Sequence, residues 1–132
     1  MPALNFQKQW ADAVEVGALL ANGWCTPPNP CKPKRTTIRK PGRAKPGQVL
    51  YLYTGQRTAS CRKLGEVLCL AVTPVRFSAE FDVIWLGNQL LLRDQFEAFA
   101  RLDTAGLWGW EDFARFFAET YNDNRHFELI GW

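Results

Sequence analysis

The spacing of the hydrophobic residues changes twice along this 132-residue chain, and that change limits the folds it can adopt. From residue 36 to 92, short β-branched and apolar runs are separated by turn signals such as Lys-Pro-Gly, a pattern typical of strands. From residue 93 to 121 aromatic residues recur at helical spacing, and residues 126–132 alternate again as a closing strand. Strands and helices grouped in this way predict an α+β domain rather than one that alternates strand and helix.

The individual elements are predicted in chain order. Phe6, Trp10 and Val14 share one helical face, so we expect an opening helix over residues 6–17, with Asn5 as its N-cap. The other expected elements are strands over residues 36–39, 49–53, 64–73, 81–85, 89–92 and 126–132, with helices over 93–102 and 110–121 inserted before the last strand. The strands at 81–85 and 89–92 are expected to form a hairpin.

The stretch between the opening helix and the first of these strands is rich in proline. Four prolines lie within residues 22–33, so residues 18–33 are interpreted as a loop insertion in a single domain spanning residues 1–132. Five or six strands with short helices at their edges favour a small, partly closed β-barrel.

Basic residues are concentrated in one part of the chain. Ten Lys or Arg and no acid lie between Lys32 and Lys63, whereas the other six basic residues share the rest of the chain with all thirteen acids. This basic block (residues 32–63) also contains Thr and Tyr side chains that can hydrogen-bond and stack. If the block folds onto one face, its field attracts phosphate, which predicts RNA or another single-stranded nucleic acid as the partner. A solvated basic surface is the alternative.

Other features exclude several classes of protein. No run approaches the roughly 20 apolar residues that span a membrane, and no signal peptide is recognisable, so we expect a cytoplasmic protein without a membrane partner. The four cysteines (Cys25, Cys31, Cys61 and Cys69) lack short paired spacings, and His126 is the only histidine. We therefore expect no metal and no other cofactor, reduced thiols, and Cys69 in the core.

Several segments, in order, resemble the ASCH domain family, a branch of the PUA-like β-barrel superfamily, and in particular its small stand-alone members from phages and prophages. The most specific is Lys34-Arg-Thr-Thr-Ile-Arg39, which matches the family's Lys-x-x-Thr-Ile-Arg signature. The others are residues 4–17, 45–55, 61–66, 99–103 and 127–132. The resemblance implies a PUA-like barrel with an N-terminal helix and a cleft lined by the signature residues.

The resemblance also implies chemistry. The superfamily is associated with RNA binding, and some stand-alone ASCH proteins cleave nucleic acid or remove the acetyl group of N4-acetylcytidine. In the amidohydrolase members a Lys, a Thr and a Glu carry the reaction. Lys34 and Thr37 match the first two at the same spacing, and Asp103 is the best match for the acid, one methylene shorter than Glu.

The sequence leaves three functions open. As a binding module, the chain would contact phosphate through basic side chains and base edges through polar ones, with a tyrosine or tryptophan as the stacking surface. The expected residues are Lys34, Arg39, Lys40 and Arg43 for phosphate, Thr37 and Gln56 for base edges, Arg57 as a further ligand contact, and Tyr51, Tyr53 or Trp85 for stacking. As a hydrolase of a modified nucleoside, or a ribonuclease, it would use Lys34 as base, Thr37 as nucleophile and Asp103 as general acid–base. Lys34 and Thr37 are three residues apart, so we expect a bend or bulge between them.

The third function is that of a protein-interaction module. A small phage-type protein can act by binding a host protein, and the insertion around Trp24 would then be its contact surface.

Overall fold

A computed structural model of the chain describes residues 2–24 and 32–132. Cys25 and Cys31, which were expected to be reduced thiols, and most of the proline-rich stretch lie outside the described residues. The described strands are β1 (Ala3–Phe6), β2 (Thr36–Arg39), β3 (Val49–Thr54), β4 (Arg62–Leu68), β5 (Ala71–Phe77), β6 (Ile84–Leu86), β7 (Gln89–Leu91) and β8 (His126–Gly131). The helices are α1 (Ala11–Ala21), α2 (Phe96–Asp103) and α3 (Trp110–Tyr121), with 3₁₀ turns at Lys8–Trp10 and Arg93–Gln95.

The mixed α+β class is confirmed, but the strands form two sheets. The first has the order β1-β3-β4, with β1 parallel to β3, and the second has the order β2-β8-β5-β6-β7 and is antiparallel throughout. Within the described ranges these eight strands, more than the five or six expected, form no closed barrel. The edge strands of the two sheets, β1 and β2, are nevertheless in contact: Nη2 of Arg39 in β2 donates to the main-chain oxygen of Asn5 in β1 at 2.8 Å.

The prediction for the N-terminal segment was wrong in its bounds. Leu4 and Phe6 are buried in alternation within β1, and Asn5 lies in that strand instead of capping a helix. The α-helix begins only at Ala11 and continues to Ala21, so residues 18–21 belong to α1 and not to the loop insertion. Pairing with β3 prevails here over the helical spacing of the side chains.

The strand expected over residues 64–73 is in fact two strands in different sheets. The chain turns at Cys69 and Leu70: the N–H of Cys69 donates to Gln48, beside β3, and the N–H of Leu70 donates to Gly131 of β8. Cys69 is buried at this corner, as expected. The helix over residues 110–121 and the closing strand confirm the corresponding predictions. The hairpin is also present, but its first strand, expected over residues 81–85, is only Ile84–Leu86, because Phe81 has a positive φ of 57°.

The core has two parts. The first lies around α1, β3 and β4 and is mainly aliphatic, including Val14, Leu50 and Leu52, with Ile130 of β8 and a few aromatic rings added to it. Aromatic rings fill the second, where α2 and α3 pack on the larger sheet: Phe117 lies 4.8 Å from Phe113 and 5.1 Å from Phe127 between ring centroids. Each such pair contributes roughly 0.5–1.5 kcal/mol beyond its burial. The helical insertion is thereby fixed beside β2.

Candidate functional site

A cavity of about 200 Å³ lies beside β2, between the N-terminal segment and the helical insertion. Its polar lining includes Lys34, Thr37, Arg39 and Asp103. Its walls carry seven aromatic side chains: Phe6, Trp10, Trp108, Phe113, Phe116, Phe117 and Tyr121. We call it the aromatic cavity. The three predicted catalytic residues and one predicted ligand-binding arginine thus line a single cavity.

Lys34 is buried at the polar end of this cavity. Only 4% of the residue is exposed, and its Nζ donates to the main-chain oxygen of Asp103 and to the carboxylate Oδ1 at 3.3 Å. The main-chain N–H of Lys34 donates to Ala13 of α1 at 2.8 Å, which fixes the segment before β2. Burial lowers the pKa of the Lys34 ammonium, and the nearby Asp103 carboxylate offsets only part of that shift.

Asp103 stands at the C-terminal end of α2 and accepts two side-chain hydrogen bonds through one oxygen. Its Oδ1 receives Lys34 Nζ and, at 2.8 Å, the hydroxyl of Thr36. Thr36 was not among the predicted site residues. The alternation of an extended chain was the signal that could have identified it, because residues 34 and 36 point to the same side.

Thr37 and Arg39 form a second polar pair in the cavity. Nε of Arg39 donates to Thr37 Oγ1 at 3.1 Å, and the guanidinium lies 4.8 Å from the centroid of the Phe6 ring. Burial also lowers the pKa of Arg39. Within residues 2–24 and 32–132, the hydroxyl of the buried Thr37 has no acceptor for its own proton, which leaves that proton available to a ligand.

No bulge separates Lys34 from Thr37, contrary to expectation. The register of β2 against β8 is unbroken from Thr36 to Arg39. Lys34 precedes the strand, and β2 is the edge strand of its sheet. Side chains that point to opposite faces of the sheet, such as those of Lys34 and Thr37, can therefore both reach a cavity along that edge.

A second cavity, of about 320 Å³, adjoins the first and is lined mainly by basic and amide side chains. We call it the basic pocket; its polar lining residues are Asn5, Arg39, Arg43, Gln56 and Arg57. Four of these were predicted ligand-binding residues. Asn5 and Arg39 line both cavities, so the two spaces meet at this pair.

Other predicted residues line neither cavity. Lys40 places its Nζ 5.8 Å from the centroid of Tyr121, a ring of the aromatic cavity, without lining that cavity. Tyr53 alternates with the buried Leu52 and Thr54 along β3 and lines neither space.

The other two rings proposed for stacking are occupied by cations: Tyr51 by Lys63 and Trp85 by Arg76, at 5.5 and 4.0 Å from the ring centroids. Lys63 also pairs with Glu66 at the surface.

The remaining expectations concern metals, membranes and the Trp24 surface. In the part of the chain that the structure describes, no three His, Cys, Asp or Glu side chains converge as metal ligands. None of the described helices has the length and apolar character needed to cross a bilayer. Trp24 is 56% exposed and His126 is exposed at the start of β8.

No family model, curated protein or solved structure matches the chain.

Proposed function

We propose that the aromatic cavity binds the base of a modified nucleoside or of an unpaired nucleotide in RNA, and that the chain is a PUA-like protein of the ASCH type. The observation that carries this proposal is a ring-walled cavity with a buried Lys34–Asp103 pair at its polar end. An apolar cavity of roughly 150 Å³ admits benzene, so about 200 Å³ suits a single heterocycle with a small substituent.

The chemistry of the lining suits a nucleobase. Stacking of a base on an aromatic ring contributes about 1–3 kcal/mol. The base edges carry both donors and acceptors, and the cavity offers the Lys34 ammonium, the Asp103 carboxylate and the Thr37 hydroxyl. Unpaired bases are the usual targets of such recognition, because their edges and faces are accessible.

The ASCH assignment is supported by the position of the signature segment. Lys34, Thr37 and an acid share one cavity, as the resemblance implies. The hydrogen bond from Arg39 to Asn5 joins the edge strands of the two sheets, which supports a partly closed barrel.

Binding can be tested directly through tryptophan fluorescence, since Trp10 and Trp108 line the cavity. The ligands are N4-acetylcytidine, the four common ribonucleosides and a short single-stranded RNA. Thr37→Val removes the hydroxyl at nearly constant volume, and we expect about a tenfold loss of affinity. Thr73→Val on β5 is the matched control, because Thr73 lines neither cavity. Absence of binding by every ligand at low salt would reject the proposal.

Amide hydrolysis is a second candidate, favoured by the lowered pKa of the buried Lys34 beside Thr37 and Asp103. In this scheme neutral Lys34 accepts the Thr37 proton while Oγ1 attacks the acetyl carbon of N4-acetylcytidine. Arg39 stabilises the developing oxyanion. When the C–N bond breaks, the Lys34 ammonium returns the proton to the leaving amine, and Asp103 orients that ammonium. Water then hydrolyses the acyl-threonine ester to release acetate and restore the Thr37 hydroxyl.

The hydrolytic candidate is tested by following the release of cytidine and acetate from N4-acetylcytidine. We expect turnover by the wild type and by Thr37→Ser, which keeps the hydroxyl, and none by Thr37→Val. Tight binding of the nucleoside without product would reject hydrolysis and leave the binding proposal in place.

A further inference from the structure

The basic pocket begins where the aromatic cavity ends. Asn5 and Arg39 line both spaces, and Arg39 lies between Thr37 in the first and Arg43 in the second. If the ring of a ligand lies in the aromatic cavity, the substituents of that ring can therefore extend past Arg39 into the basic pocket.

None of the described acids lines the basic pocket, and the carboxylate whose charge acts on Arg39, that of Asp103, lines the aromatic cavity instead. The lining of the basic pocket has three guanidinium groups and no carboxylate, and the charge of Arg43 is among the causes that lower the pKa of Arg39. Glu128 lies opposite Arg39 in the strand register, but it accepts the Gly42 N–H at 2.7 Å and makes no ion pair with the pocket's arginines.

Three surface arginines outside the pocket are paired with acids. Arg62 contacts Glu15 at 3.0 Å, Arg101 contacts Glu97 at 3.0 Å, and Arg115 contacts Asp112 at 3.4 Å. Arg43 and Arg57 have no ion-pair partner in the described ranges, and the same is true of Arg35, Arg76, Arg93 and Arg125 elsewhere. The basic pocket differs in that Arg39, Arg43 and Arg57 line one cavity. Clustered guanidinium groups without acids are the arrangement that an anion completes.

The loop that carries Arg57 is held in a specific conformation. Arg57 has φ of 65°, a left-handed value that costs a non-glycine residue of order 1 kcal/mol or more. Asn5 Oδ1 accepts the Gln56 N–H at 3.0 Å, while the main-chain oxygen of Asn5 accepts Arg39. One residue of β1 thus bonds to both sides of the pocket, and the main chain that leads into Arg57 is held without a ligand.

We propose that the basic pocket is a phosphate subsite, so that the ligand is a nucleoside bearing a phosphate instead of a free nucleoside. This inference rests on the proposed binding of a base in the aromatic cavity. The base occupies that cavity, Arg39 lies beside the sugar, and Arg43 and Arg57 contact the phosphate oxygens. A terminal phosphate of a mononucleotide and a phosphodiester of RNA share this chemistry.

The test compares three probes by calorimetry: N4-acetylcytidine, its 5′-monophosphate and a short RNA containing it. We expect the monophosphate to bind at least about tenfold more tightly than the nucleoside. In Arg43→Gln/Arg57→Gln this gain disappears while affinity for the nucleoside is retained. Arg101→Gln/Arg115→Gln makes the same change in charge outside the pocket and should keep the gain.

The outcomes separate the two proposals. Equal affinity for the nucleoside and its monophosphate overturns the phosphate subsite and leaves the aromatic cavity as a base-binding site. No binding of any probe overturns both. A gain that survives Arg43→Gln/Arg57→Gln also overturns the subsite. If the RNA binds more tightly than the monophosphate and loses that advantage in the double variant, the phosphate is a phosphodiester; equal affinity of these two probes identifies a terminal phosphate.

Discussion

Gly17 of α1 faces the main-chain carbonyl of Lys34 so closely that a Cβ at Gly17 would lie 2.0 Å from that oxygen. The segment before β2 therefore rests directly on the helix, and the N–H of Lys34 bonds to Ala13 one turn earlier. The absence of a side chain at residue 17 is what lets the Lys34 side chain enter the aromatic cavity at this depth.

Replacing Gly17 by Ala should destabilise the protein. Helix propensity alone would favour Ala by about 1 kcal/mol. However, the new methyl group meets main-chain atoms that cannot rotate away, so we expect a net loss of about 1–3 kcal/mol in the free energy of unfolding, measured with urea. Gly131→Ala is the control, because its nearest atoms lie at 3.9 and 4.0 Å. A Gly17→Ala protein as stable as the wild type would contradict the close contact.

Lys34 and Asp103 should be strongly coupled. Their side chains are 5% and 10% exposed, so Asp103→Leu leaves a buried ammonium without its carboxylate, at a cost of about 3–5 kcal/mol. Lys34→Met/Asp103→Leu should cost less than the sum of the two single changes. Urea unfolding of the four proteins gives the coupling energy. The exposed pair Arg101–Glu97 is the reference, with an expected coupling below about 1 kcal/mol. Additive costs at Lys34 and Asp103 would contradict a buried ion pair.

The lowered pKa of Lys34 should make stability depend on pH. Between that pKa and the ordinary value of 10.5, the unfolded chain holds a proton that the folded protein does not. The contribution of Lys34 to stability therefore rises with pH across this interval, by up to about 1.4 kcal/mol per pH unit. Urea unfolding at several pH values, compared with Lys34→Met, isolates this contribution. Parallel curves for the two proteins would show that the Lys34 pKa is not lowered.

RNA affinity should depend on salt through the arginines of the basic pocket. For a single strand, each phosphate contact adds roughly 0.7 to the slope of log affinity against log salt concentration. Arg43→Gln should reduce the slope by about that amount. Arg115→Gln should not, because Arg115 is paired with Asp112 outside the pocket. An unchanged slope in Arg43→Gln would place the RNA elsewhere.

The local spacing of apolar residues was sufficient to predict an element when it fitted only one kind of secondary structure. The helix over residues 110–121 shows a clear apolar face and was predicted with its observed bounds. Pattern failed at β1, where Phe6 fits both the alternation of a strand and the spacing of a helix with Trp10. Only pairing with β3, more than 40 residues later, decides between them.

The corner at Cys69 was hidden for a similar reason. No glycine or proline interrupts the apolar run from Val67 to Val72, so nothing local marks the point where the chain leaves one sheet for the other. The change is set by the partners, β3 before the corner and β8 after it.

The candidate site was partly recoverable from sequence. The family resemblance indicated Lys34, Thr37 and Asp103, and the structure brings them to one cavity. The aromatic walls were not predicted, because rings such as Trp10 have the spacing of ordinary core residues. Their contribution to a cavity depends on how α3 packs beside β2, which no local pattern encodes.

The pairing of β2 with β8 also constrains when this part of the fold can form during synthesis. β8 is the only strand that pairs with β2 in the described structure, and the two are nearly 90 residues apart in the chain. Asp103 meets Lys34 across 69 residues. A ribosome would therefore release almost the whole domain before β2 acquires its partner. A chain interrupted before residue 126 would leave β2 without its partner and the core around α1 without Ile130 and Trp132, so capture of the ligand would report that the chain has been made as far as β8.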